Sequence, residues 1–217
     1  MPDRARRWKQ DPAAVKADIL AAARREFAAN GFAGARVERI VEGTKTSKRM
    51  LFYYFGGKEG LYRAVLADAY EQIRAQEEAL DLGGLEPAEA LAKLVRFTFD
   101  HHRANPDFIR LVMIENIHHG RHLAEIPQIG DTNRAVIDQL ERICAEGIAS
   151  GLFRDDASAI ALHWQISALS FFNVSNRVTF EISFGDALFT ESAQIGMREQ
   201  VVNSILGSVL NPVLPEE

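Results

Sequence analysis

The chain is poor in the residues that staple, metallate or anchor proteins. Among 217 residues there is one cysteine, Cys144, which excludes an internal disulfide and any CxxC metal pattern. No stretch approaches the ~18 consecutive apolar residues of a membrane span. The opening MPDRARRWKQDP has basic residues but lacks the apolar core of a secretory signal. A cytoplasmic protein that does not meet the membrane is therefore expected. GxSxG, HExxH and a cysteine–histidine pairing are all missing, so the expectation is no enzyme, no catalytic residue, no metal and no cofactor. Apolar residues make up 47% and charged residues 25%, which places the chain among ordinary globular proteins with a sizeable core.

What is present is helical and unevenly charged. Residues 1–60 carry 13 Lys and Arg against 7 Asp and Glu, whereas residues 61–217 carry 12 against 23. A basic head on an acidic body suits a reader of nucleic acid, attracted to phosphate at one end and repelled elsewhere. The same split also arises by chance on solvated surfaces. Apolar residues recur at helical spacing almost throughout. Asp11-Pro12 caps a first helix bearing Val15, Ile19, Ala23 and Phe27, stopped at Asn30-Gly31. Val37, Ile40 and Val41 mark a short second helix, and Thr46 or Ser47 starts a third that ends at Gly56-Gly57. Further helices are expected over 58–80, 87–104, from 106 toward 119, and over 131–150, 157–176 and 190–209, with VTFEISFGD as a loop. The expected architecture is all-α. Its domains are an N-terminal arm and helix-turn-helix over 1–60 and a helical effector-binding and dimerisation domain over 61–217.

Residues 37–58 carry the most specific signal. Two short helices joined by a polar break fit a helix-turn-helix, whose second helix enters the DNA major groove. Leu51 and Phe55, four apart, would lock that helix inward, leaving Lys48, Arg49, Phe52 and Tyr53 outward. Two exposed aromatics suit contact with sugars and thymine methyl groups. Arg49 suits bidentate bonding to guanine, and Lys48 and Lys58 suit phosphate. Arg4, Arg6, Arg7 and Lys9 form either a mobile DNA-binding arm or a solubilising tail.

Residues 19–66, about a fifth of the chain, resemble the DNA-binding domain of the tetracycline-repressor (TetR) family. The resemblance rests on the first-helix pattern ending in Phe27, on Asn30-Gly31-Phe32, on Val37 with Ile40, and on Ser47-Lys48 followed by LFYYF and Lys58-Glu59. It implies phosphate contacts from Arg36, Lys48, Tyr53, Tyr54 and Lys58 and base contacts from Thr46, Arg49 and Met50. With Lys45 and Ser47 of the turn, these residues and Phe52 make up the candidate DNA-binding set. The family usually has a glycine where this chain has Lys45. Either Lys45 turns left-handed, at a cost on the order of 1 kcal/mol, or the turn has another shape. Arg49 and Tyr54 also depart from the family's common small residue and histidine, enlarging the reading surface.

The resemblance further implies a homodimer whose middle helices enclose an effector pocket. The run AIALHWQISALSFFNVS is apolar around nearly its whole circumference, so it needs burial on every side, one of them against a partner or within a monomer's core. Glu115 and Asn116 interrupt the apolar run FIRLVMIENI and need partners, which Arg110, backbone or a ligand would supply. Gln165 and Asn173, amid Trp164 and Phe172, repeat the pattern. Phe97, Met113, Glu115, Asn116, Trp164, Gln165, Phe172 and Asn173 are the expected lining for a small organic effector. Five of six histidines fall within 101–122, and His118 with His122 has metal-ligand spacing, although surface or capping roles fit that register better. The expected function is a ligand-responsive regulator, a repressor, that binds a near-palindromic double-stranded DNA operator as a homodimer and is released by its effector. The rival is a constitutive DNA-binding dimer without one.

Overall fold

In the computed structural model, which describes residues 11–212, Asp11 accepts hydrogen bonds from the amides of Ala13 and Ala14 and so opens the first helix. Ten α-helices succeed one another in chain order among the described residues. They are α1 (Pro12–Gly34), α2 (Val37–Glu42), α3 (Lys48–Phe55), α4 (Lys58–Glu78), α5 (Pro87–Ala104), α6 (Pro106–Ile117), α7 (Ile129–Ala149), α8 (Ala159–Ser175), α9 (Arg177–Phe184) and α10 (Glu191–Val209). Short 3₁₀ turns occupy Leu123–Glu125 and Ala187–Phe189. The expected all-α class holds. Within α1, Gly31 sits at φ 66°, a value that favours glycine, and the helical path bends there before continuing to Gly34.

The expected loop VTFEISFGD is a correction: most of it is helix α9. β-Branched and aromatic residues are poor helix formers, but here side-chain contacts outweigh propensity. Arg177 bridges Glu181 one turn on, at 2.8 Å. Phe180 packs against Phe184 and Phe189, with ring centroids 4.8 and 5.9 Å apart. Gly185, at φ 82°, ends the helix.

The helices pack as two units. The first combines the described residues up to Glu71 with Asp107–Ile129, and the second combines Gln72–Pro106 with the described residues after Ile129. The division therefore falls inside α4 and assigns α6 to the first unit, whereas residue 60 was the expected boundary. Ile19, Ala23 and Phe27 of α1, Ile40 of α2, Leu51 of α3, Leu61, Tyr62, Val65 and Leu66 of α4, and Leu111 of α6 form the first core. The second gathers Leu91, Leu94, Val95 and Phe99 of α5 and Leu140 of α7 with Leu162 and Ile166 of α8 and Val202 and Ile205 of α10.

Candidate nucleic-acid interface

α3 is short, so its pose depends on what holds its ends. Ser47 caps the start through Met50 N, Gly56 at φ 71° closes the end, and Leu51 is fully buried beneath it. That leaves Arg49 exposed, Phe52 and Tyr53 exposed at 45% and 78%, and Met50 and Tyr54 half-buried. The Tyr53 and Tyr54 rings meet edge to face at 5.2 Å. Lys48 reaches Glu38 at 2.6 Å, an ion pair open to solvent on both sides. Such a pair contributes little to stability, so Lys48 can exchange Glu38 for a phosphate at small cost.

The turn preceding α3 takes the second of the two expected shapes. Among the described residues only Asp81 and His119 combine a side chain with positive φ, so Lys45 is not left-handed. Thr44 Oγ1 donates to Val41 O and accepts from Thr46 N, while Lys45 N donates to Asp18 Oδ2 at 3.0 Å. A hydroxyl and a carboxylate from α1 thus do the work of the missing glycine. Similarly, Arg36 N donates to Glu26 Oε1, fixing the entry to α2. Asp18 and Glu26 were invisible as turn residues because their partners lie 27 and 10 positions away. Lys58 is half-buried, with Nζ donating to Ala33 O at 3.3 Å and lying 4.9 Å from the centre of the Phe32 ring. Thr46 is half-buried and Arg36 and Lys45 are exposed. Arg4, Arg6, Arg7 and Lys9 lie outside the described residues.

The chain matches two family profiles, "Bacterial regulatory proteins, tetR family" over residues 19–65 and "Tetracyclin repressor-like, C-terminal domain" over residues 87–205. The protein is a member of the TetR family. It is 36% identical over 162 residues to the HTH-type transcriptional repressor NicS of Pseudomonas putida, covering 75% of this chain and 76% of that one. It is also 34% identical over 138 residues to the HTH-type transcriptional regulator RutR of Escherichia coli, covering 64% of each. A solved structure of a transcriptional regulator, SCO4942 of Streptomyces coelicolor, superposes with a TM-score of 0.66 at 24% identity, covering 91% of this chain and 99% of that one. A regulator from Rhodococcus RHA1 gives 0.70 at 20% identity, covering 92% and 98%. These last two likenesses concern the fold. The TetR-family head is thus a helix-turn-helix DNA-binding element, and the protein a transcriptional regulator.

The eight residues expected to line an effector site divide between the two units, with Met113, Glu115 and Asn116 in the first and Phe97, Trp164, Gln165, Phe172 and Asn173 in the second. Glu115 is buried in the first unit's own core, where its carboxylate accepts from His122 N at 3.1 Å, Leu123 N at 3.0 Å and His122 Nδ1 at 3.2 Å. Left-handed backbone at His119 and Gly120, φ 58° and 67°, turns the chain back to allow this. The His122 ring then packs against Phe32 and Tyr62, at 4.5 and 4.9 Å. Tyr62 lies beside Glu115, and burial followed by that carboxylate raises its phenol above the ordinary range. Backbone and His122 are therefore Glu115's partners, and His118, exposed, does not converge with His122. No group of three or more histidine, cysteine or acidic side chains among the described residues is placed to hold a metal ion. Asn116 is exposed and folds onto Val112 O. Met113 is half-buried, and Phe97 sits 5.6 Å from the His101 ring.

In the second unit, Trp164 is 70% exposed and Gln165 accepts from Ser208. Phe172 and Asn173 do meet, in a pocket of about 200 Å³ shared with Leu169, Asn176, Phe180, Leu188, Phe189, Met197 and Val201. Asn173 is locked in a double amide pair with Gln194, at 2.8 and 3.0 Å. Ile160, Trp164 and Phe172 continue an exposed apolar face along α8, and Val178, Ile182 and Phe184 add to it from α9. On α10, a Cβ added at Gly196 or Gly207 would meet nothing within 4 Å.

Proposed function

We propose that this TetR-family protein is a ligand-responsive repressor that binds a near-palindromic DNA operator as a homodimer and releases it when a small organic effector binds. The observation that carries the reading is the α3 surface: Arg49, Phe52 and Tyr53 stand exposed on a helix whose ends and base are fixed. Arg49, Thr46 and Met50 would read base edges, with Phe52 on sugars and thymine methyl groups. Arg36, Lys45, Ser47, Lys48, Tyr53, Tyr54 and Lys58 would hold phosphates. The apolar faces of α8 and α9 support the dimer, because so many exposed large apolar side chains in one region mark an interaction surface. Two heads about one turn of DNA apart then read two half-sites. An effector can shift operator binding only by preferring one state of the dimer, so the coupling must be reciprocal.

The test uses a duplex selected from a random-sequence pool by the full-length protein. Arg49→Ala should cost about 1–3 kcal/mol at one base position and relax its specificity, whereas Lys58→Ala should weaken all sequences alike and flatten the salt slope. Equal losses on selected and random DNA for Arg49→Ala would overturn its role. One observation favours the rival, a constitutive dimer without effector: Glu115 finds its partners internally and calls for no ligand. Against it stand the pocket beside Phe172 and the charged side chains buried inside the second unit.

A further inference from the structure

The second unit buries charged and titratable side chains that neither DNA reading nor the dimer surface uses. Arg74 and Glu77, near the end of α4, pair at 2.6 Å with side-chain exposures of only 11% and 4%. His101 and His102 of α5 are buried beside one another, their ring centroids 6.0 Å apart. His163 of α8 shares this neighbourhood, since the Arg74 charge acts on both His102 and His163. Two turns along the same face of α8, Ser170 is completely buried and its hydroxyl meets no hydrogen-bond partner. α10 packs on α5 and α8, but its Arg198 and Glu199 are taken up by Asp100 and Arg96. The surrounding core, with Leu94, Val95, Phe99, Leu162 and Ile166, is apolar.

Packing does not account for this arrangement. A buried ion pair loses its hydration, and apolar side chains of similar volume hold a core at least as well. A polar hydroxyl with no partner is a further cost. Buried titratable groups gathered in one place with a specific charge partner are the signature of a candidate binding site.

We propose that this cluster binds a small carboxylate, with Glu77 holding the place on Arg74 that the ligand's carboxylate takes. The inference rests on the effector-responsive reading and names the chemical class of the effector. A guanidinium presents a planar fork that matches a carboxylate bidentately. Ser170 and the imidazoles of His102 and His163, which burial keeps neutral, supply hydrogen bonds to further polar atoms, and Phe97, beside His101, supplies an aromatic wall. Replacing Glu77 on Arg74 would leave two carboxylates by one cation unless Glu77 takes up a proton. Burial, opposed by Arg74, has already pushed Glu77 up to about 7, so that proton is available near neutral pH. Binding therefore takes up about one proton and strengthens as pH falls from 8 to 6.

The experiment titrates the full-length protein, at constant ionic strength, with acetate, cyclohexanecarboxylate and benzoate, each beside its amide. The readouts are the imidazole signals of His102 and His163 by NMR and the melting temperature. At least one carboxylate should shift both signals and raise the melting temperature while its amide does neither. The Kd should tighten several-fold at pH 6 relative to pH 8. Glu77→Gln should tighten binding about tenfold and remove most of that pH dependence, and Arg74→Gln should abolish binding. If Arg74→Gln does not fold, the carboxylate–amide contrast and Glu77→Gln decide the matter. No response of either imidazole to any of the three acids, or equal response to acid and amide, overturns the proposal. A carboxylate that binds as described yet leaves affinity for the selected duplex unchanged upholds the site and overturns the effector reading instead.

Discussion

Gly60 is where a single methyl group should separate stable folding from DNA reading. It is the third residue of α4, and a Cβ built there would lie 2.0 Å from the carbonyl oxygen of Phe55 and 3.2 Å from its carbon. A carbon–oxygen contact needs about 3.3 Å, so Gly60→Ala requires a retreat of about 1.3 Å, the shortfall from 2.0 Å. The obstructing atom is backbone and cannot rotate away. It also belongs to the last residue of α3, so the recognition helix must shift or the start of α4 must unwind. Overpacking of this kind costs about 1–3 kcal/mol. A displacement near 1 Å would also misalign the side chains proposed to read base edges, where each good bidentate contact is worth about 1–3 kcal/mol, and the proposed dimer would incur the loss twice. Gly60→Ala should therefore lower stability by about 2 kcal/mol in urea titration. It should also cut affinity for a selected duplex at least tenfold, while phosphate-driven binding to random duplex, measured by anisotropy at two salt concentrations, falls much less. Gly34→Ala is the control: its Cβ would meet only Asn30 Cβ at an ordinary 3.5 Å. Gly60→Ala with unchanged stability and an unchanged ratio of selected to random binding would refute the reasoning.

Three further outcomes are expected. Glu115→Ala removes the acceptor of two backbone amides and the His122 ring inside the first unit. It should lower stability by about 2–3 kcal/mol in chemical denaturation, and a loss under 0.5 kcal/mol would contradict the buried geometry. Trp164→Glu places a charge on the exposed α8 face and should shift the protein to monomer in sedimentation velocity with helicity retained. An unchanged dimer would move the interface elsewhere. Stability should rise with pH between about 4.5 and 6.5. Burial holds His102 and His163 down to about 4 from 6.5, so in that window the unfolded chain binds two protons that the folded one does not. Glu77, raised from 4.5 to about 7, works the other way, because its folded form keeps a proton the unfolded form releases. The balance is one proton, a slope of about 1.4 kcal/mol per pH unit. His163→Asn should nearly flatten it, and a wild-type stability that falls as pH rises through the window would show the assignment to be wrong.

Much of the head was legible because its information is local. Ser47 caps the start of α3, Gly56 ends it, and Leu51 sits one turn from Phe55, all within a dozen residues. The Lys45 turn was not legible, since Asp18 reaches it from α1 through space. α9 was hidden for a related reason: Val178, Thr179, Phe180 and Ile182 have poor helix propensity, and contacts with Phe189 and the Arg177–Glu181 pair override it. Apolar spacing shows that a helix has a buried face but not what that face meets, so it left open that Asn116 and Trp164 are exposed and that Asn173 pairs with Gln194. The sequence shows that Glu115 needs a partner, but its partners come from the chain reversal at His119-Gly120. The burial of Arg74 and Glu77 is not legible in the sequence, because two opposite charges three apart on a long helix ordinarily lie in water.

The sequence by itself determined the helices with regular apolar spacing, their caps, the family and the exposed residues of α3. Each of these depends on neighbours within a few turns. Only the tertiary structure decided how the turn before α3 closes, that α6 packs with the head, and that an ion pair with three histidines lies inside the second unit. Burial is a property of what surrounds a side chain, and the chain supplies those surroundings from residues far away along it.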